Sequence, residues 1–127
     1  MELAGKIKKW VEIVNAEYGL SHRNKQSIDF FMKIKDVATF IIEDNYYVVC
    51  LISKDMWGYK ILSVVSYYIL PEHRNYKNFM EIQKRIDTLA KINKVKYIYQ
   101  GSHLNSKLNK VLEKMGYSVG FYKKEII

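Results

Sequence analysis

The 127-residue chain has one cysteine, Cys50, and one proline, Pro71. A single thiol excludes an internal disulfide. Because Cys50 lies inside the apolar run 46–53, it reads as a small buried core residue and not as a reactive group. With no second cysteine and with His22, His73 and His103 scattered along the chain, no metal-ligand spacing exists and no metal is expected. No apolar run approaches bilayer-spanning length, and charges interrupt the start, Met1-Glu2-Leu3-Ala4-Gly5-Lys6-Ile7-Lys8-Lys9-Trp10. A membrane span and a signal peptide are therefore excluded, and a soluble, cytoplasmic protein with no membrane partner is expected. Linker composition and low-complexity runs are missing too, while 49% of the residues are hydrophobic. That combination predicts one globular domain over residues 1–127.

What the chain has in excess is positive charge: 21 Lys and Arg against 13 Asp and Glu, a formal net charge of +8. An acidic partner follows from that balance, either a nucleic acid, an acidic protein surface or a phosphorylated small molecule. Lysine is accompanied by abundant Tyr, Ile and Asn, a mixture that AT-rich coding produces with no binding role. No nucleic-acid motif supports the first of these partners.

Taken in order, Leu3, Ile7, Val11, Val14 and Tyr18 recur at helical spacing, which predicts a helix over 2–18 ended by Gly19. Ser27 is a candidate cap for a short second helix carrying Ile28, Phe30, Phe31 and Ile34, its aromatic pair reading as core. Three strands follow, over 39–43, 46–53 and 60–70. Asp44-Asn45 supplies the first turn, and residues 54–59, with Gly58, supply the second. The third strand, rich in β-branched and aromatic residues, stops at Pro71. After a polar turn a helix is expected, with Asn78 as cap and Glu81 completing a capping box. Phe79, Ile82, Ile86, Leu89 and Asn93 trace its inner face. A short strand over 95–99 would lie parallel to the third strand, as a strand–helix–strand unit requires. A helix through Leu104, Leu108, Val111, Leu112 and Met115 and a closing strand over 117–122 complete the order. The result is a mixed α/β fold, α-α-β-β-β-α-β-α-β, one mixed sheet with helices on its faces. The strand-to-helix joint at Leu70 to Phe79 is a natural place for a phosphate, because first-turn amides are unpaired and partly positive; an ordinary turn is the plainer reading.

The order of elements, the turn Leu70-Pro71-Glu72-His73-Arg74 and the ending Asn105-Ser106-Lys107-Leu108-Asn109-Lys110-Val111-Leu112-Glu113-Lys114-Met115-Gly116-Tyr117 resemble the GNAT superfamily of acyl-CoA-dependent N-acetyltransferases. The resemblance covers about residues 39–121. It implies a GNAT-like fold in which the strands ending at Leu70 and Tyr99 run parallel and then splay. It also implies acetyl-CoA as cofactor, its pantetheine along the backbone of Tyr68, Ile69 and Leu70. The pyrophosphate would sit over the loop Arg74, Asn75, Tyr76, Lys77, Asn78 and Phe79, with Asn105 nearby. Where the family's phosphate loop has small residues this chain has Lys77 and Phe79, whose side chains would crowd the cradle. Where the family has its thiolate-protonating tyrosine, this chain has Leu112, which donates no proton. His103 is then the candidate base, and Tyr67 and Tyr99 are candidate replacement acids. Each also has an ordinary reading, as loop cap or strand packing. A looser likeness is to small GNAT-like proteins of tailed bacteriophages. It implies a non-catalytic alternative, a virion-associated or interaction protein whose basic face, Lys107, Lys110 and Lys114, meets acidic protein surfaces or other virion components. A nucleic-acid-binding module is the third alternative.

Overall fold

The computed structural model describes residues 2–100, 114–117 and 122–126. The chain divides into two compact units, Met1–Ala38 and Thr39–Ile127.

The first unit holds α1 (Leu3–Glu17), a 3₁₀ turn (Ser21–Arg23) and α2 (Asn24–Ile34). Ile7, Trp10, Val11 and Asn15 form the buried stripe of α1. The buried Asn15 Nδ2 donates to Asn24 Oδ1 at 2.9 Å and to Ser27 Oγ at 3.3 Å. Burying that amide is tolerable because it is bonded, and its bonds tie α2 to α1. They also correct the expectation for Ser27, which lies inside α2 with its hydroxyl engaged by Asn15; the 3₁₀ turn leads into the helix without a side-chain cap. The aromatic pair of α2 is not core either, since Phe30 is 49% exposed.

The second unit is a five-stranded sheet with strand order β1 (Ala38–Ile42), β2 (Tyr46–Lys54), β3 (Lys60–Ile69), β4 (Tyr97–Gln100) and β5 (Tyr122–Glu125). β2 and β3 are antiparallel, β3 and β4 parallel, β4 and β5 antiparallel. The mixed sheet and the parallel relation of β3 to β4 agree with the sequence expectation. The closing strand lies later than expected, at Tyr122–Glu125, while Tyr117 is a buried non-strand residue. The fourth strand also starts later, because Val95 belongs to the stop of the preceding helix.

That helix, α3 (Tyr76–Ile92), lays Phe79, Ile82, Ile86 and Ala90 on the sheet face formed by Tyr46, Val48, Cys50, Leu62, Ile69 and Ile98. The positions 79, 82, 86 and 90 repeat at helical period, and β2 contributes every second residue. At the rim, Tyr46 Oη donates to Glu81 at 3.0 Å and accepts from Arg85 Nη1 at 3.0 Å, while Arg85 also pairs with Glu43. Helix and first hairpin are joined there.

Two helices end in the same way. At α1, Gly19 (φ +68°) donates to Ala16 and Leu20 donates to Asn15; at α3, Lys94 (φ +54°) donates to Lys91 and Val95 to Ala90. Both are Schellman stops, which call for a left-handed residue at the same place. α1 has glycine there and α3 has lysine, whose Cβ makes that conformation costly. Lys94→Gly is therefore expected to stabilise the protein by about 0.5–1 kcal/mol. Urea unfolding midpoints measure this; an unchanged or lower midpoint would show that the lysine conformation carries no strain.

Candidate functional site

The site is built where β3 leaves the sheet. Register along β2 and β3 is regular from Lys54↔Lys60 to Cys50↔Val64, then jumps to Val49↔Ser66. β3 therefore carries one extra residue, Val65, a β-bulge. A bulge bends its strand and reverses which side chains face which side. Before it, Leu62 and Val64 face α3; after it, Tyr67 and Ile69 do. Tyr68 is thereby on the opposite face, stacked on Tyr47, whose hydroxyl bonds Ser66 Oγ at 2.8 Å.

Among the described residues parallel pairing with β4 runs Ile61↔Tyr97 to Val64↔Gln100, and β3 continues to Ile69. Gln100, opposite Val64, is buried. Its Nε2 donates to Gln83 Oε1 at 2.6 Å and to Tyr117 Oη at 2.7 Å, and its Oε1 accepts from Gln83 Nε2 at 3.2 Å. α3, the end of β4 and Tyr117 are thus held by one polar cluster, in which each amide satisfies another.

Beyond Ile69 the chain passes through a 3₁₀ turn (Pro71–His73) into α3. The cap is Asn75, not Asn78: its backbone is extended (φ −142°, ψ 170°) and Oδ1 accepts from the Asn78 N–H at 2.9 Å. Asn78 Nδ2 instead donates to the His73 carbonyl at 2.7 Å, so that side chain fixes the turn. The expected capping box is one turn too late, and Glu81 bonds Tyr46. Among the described residues the N–H groups of Tyr76 and Lys77 have no protein acceptor, and no acidic residue occupies the first turn of α3. Amides so exposed, with the positive end of the helix dipole behind them, suit an anion.

Each candidate residue can now be placed. Arg74 Nε donates to the Ile69 carbonyl at 2.8 Å, and its guanidinium lies 5.0 Å from the centre of the Tyr68 ring, so it fastens the loop to the end of β3. Lys77 is exposed on the outer side of α3. Phe79 is 3% exposed, a member of the core, with its ring 6.3 Å from that of Tyr67. Of the two side chains expected to crowd the phosphate cradle, only Lys77 remains at the surface. Tyr67 lies on the α3 face and Tyr99, which alternates with the buried Ile98 and Gln100, on the other, so the structure does not bring the two candidate acids together. Burial pushes Tyr67 up to about 12. His103, Asn105, Lys107, Lys110 and Leu112 lie outside the described residues. Among the described residues no group of three His, Cys, Asp or Glu side chains could hold a metal ion, and no helix is long and apolar enough to cross a membrane. Sequence reasoning missed the Val65 bulge and the Gln83–Gln100 pair.

The fold built from these strands and helices is shared with solved structures. This is the fold of the GNAT acetyltransferases. A Pyrococcus furiosus protein assigned as an acetyl transferase superposes with a TM-score of 0.74 over 93% of this chain and 89% of its own, at 14% identity. PaiA N-acetyltransferase of Thermoplasma acidophilum, solved in complex with coenzyme A, gives 0.64 over 98% and 91%, at 13% identity. The NatB acetyltransferase complex, bound to CoA and MES, gives 0.57 over 73% and 67%, at 14% identity. No family model matches the sequence, and no curated protein matches it.

Burial at this sheet has a consequence for alkaline stability. Burial lifts the Cys50 thiol from 9.0 to about 12, the Tyr67 hydroxyl from 10.0 to about 12, and the Tyr117 hydroxyl upward as well. A raised folded-state pKa means the unfolded chain ionises first. The associated stability is whole below about pH 9 and is lost as pH rises toward 12. Urea midpoints should therefore be level from pH 7 to about 8.5 and fall above about 9. In Cys50→Ala the fall should begin nearer the tyrosine range. An unshifted onset in that variant would show that the thiol contributes nothing.

Proposed function

We propose that the chain binds acetyl-CoA weakly across the end of β3 and the start of α3, and that any N-acetyl transfer it performs is slow. The observation that carries this reading is the coincidence, at one end of the sheet, of the Val65 bulge and the two unbonded first-turn amides of α3. Two neighbours of the same fold hold coenzyme A. The pyrophosphate would lie over the N–H groups of Tyr76 and Lys77, where the dipole and the absence of an acidic residue from the first turn of α3 favour it. Lys77 adds a cation but stands where a small residue would let phosphate approach the backbone.

Transfer needs an amine to attack the thioester carbon, a C–N bond to form, the C–S bond to break and the thiolate to gain a proton. Leu112, at the position the resemblance gives to the acid, supplies none. Tyr67, held near 12, is a poor substitute against a thiol near 8.5, an uphill proton transfer of about 5 kcal/mol. The cofactor pocket can thus survive while the proton path is weak.

Calorimetric titration of the full chain with acetyl-CoA tests this. The expected Kd is between about 0.1 and 1 mM, roughly 4–5.5 kcal/mol. Lys77→Gly should tighten it severalfold; Phe79→Gly is unsuitable because it would empty the core. No heat at millimolar ligand would overturn the reading, and low-micromolar binding would show that Lys77 does not obstruct.

A further inference from the structure

The hairpin tip joining β2 to β3 presents apolar side chains where a turn is ordinarily polar. Met56 is 85% exposed and Trp57 73% exposed. Their display is built, not accidental: Asp55 Oδ1 accepts from the N–H groups of Trp57 and Tyr59, both at 2.9 Å, the Asp55 N–H bonds the Tyr59 carbonyl at 2.9 Å, and Gly58 donates to the Asp55 carbonyl at 3.0 Å with φ +82°. The carboxylate is thereby spent on the turn, and Met56 and Trp57 are left pointing away from it.

Beneath the tip is a collar of cations. Lys54 and Lys60 are direct cross-strand partners, a like-charge pairing that works against the hairpin. Lys96 joins them, its N–H on the Lys60 carbonyl at 2.8 Å and its ammonium 3.9 Å from the centre of the Tyr59 ring. Exposed tryptophan and methionine above a like-charged cross-strand lysine pair break local rules at one spot, which is the usual mark of a working surface.

We propose that this tip docks on an anionic lipid surface, with Met56 and Trp57 entering the headgroup boundary and the exposed Lys54 and Lys60 resting on the acidic headgroups. Tryptophan favours that boundary, and lysines beside it gain from the negative surface potential. A single-stranded nucleic acid fits less well. The Tyr59 ring already faces Lys96, which leaves Trp57 as the one stacking platform at the tip, and Met56 offers a base neither a ring face nor a hydrogen bond. A second copy of the chain is disfavoured by its own charge of +8. Such peripheral contact needs no membrane-spanning helix. It would also leave the α3 N-terminus free, since the tip is at the other end of β3, roughly 30 Å away at 3.3 Å per residue.

The test uses the full chain with phosphatidylcholine vesicles, with and without phosphatidylserine, at low and physiological salt. Trp57 is exposed and Trp10 buried, so the blue shift of emission on insertion reports Trp57, and Trp57→Phe, which leaves Trp10 alone, is the control. Expected are a blue shift and co-sedimentation with phosphatidylserine vesicles alone. Binding should fall at least about tenfold in Trp57→Ser and in Lys54→Glu/Lys60→Glu, and change less than about twofold when the same charges are reversed at the exposed Lys8 and Lys9. No sedimentation, equal binding to neutral vesicles, or equal loss on reversing Lys8 and Lys9 would overturn the proposal. Binding to a dT oligonucleotide in preference to vesicles would overturn it in favour of nucleic acid.

Discussion

One extra residue in β3 sets the geometry of everything downstream. Val65 shifts the phase of the strand, so that Tyr67 and Ile69 turn toward α3 and Tyr68 turns away. Without it, Ser66 and Tyr68 would be driven into the apolar interior beside Phe79, and Ile69 would face the other side. The same residue bends the strand. Arg74 then secures the exit by bonding the last carbonyl of β3, and Asn78 and Asn75 share the turn between them, one holding the His73 carbonyl and the other the first turn of α3.

Much of this architecture is legible in the residues. The turn-forming Asp44-Asn45, the apolar run ending at Pro71 and the stripe 79, 82, 86 give the strand–loop–helix joint and the parallel neighbour. The bulge is not legible, because residues 64–69 are apolar or aromatic except Ser66 and fit either phase of a strand. The cap of α3, read as Asn78 and found to be Asn75, is not legible for a similar reason. Two asparagines stand three residues apart and either can cap, and the choice is made by the His73 carbonyl, a partner defined only once the turn has folded. Phe79 is a different case. Aligned to a phosphate loop it reads as an obstruction, but its place in the helical stripe already turned it inward; periodicity was the better guide than motif position.

The candidate site divides along the same line. A helix beginning at a strand end leaves its first amides unpaired whatever the side chains, so this backbone feature needs little from the sequence. The chemistry of proton transfer depends on single side chains. There the burial of Tyr67 is legible only in the structure.

The paired amides of Gln83 and Gln100 differ from the surface links of the unit in what can disturb them. The Arg85–Glu43 contact, with both side chains more than a third exposed, is weakened by dissolved ions and by acid. Neither glutamine carries charge or exchanges a proton with solvent across the range in which proteins survive. Gln100, on β4, is therefore fastened to α3 by a link indifferent to ionic strength and acidity, while the Arg85–Glu43 rim responds to its medium.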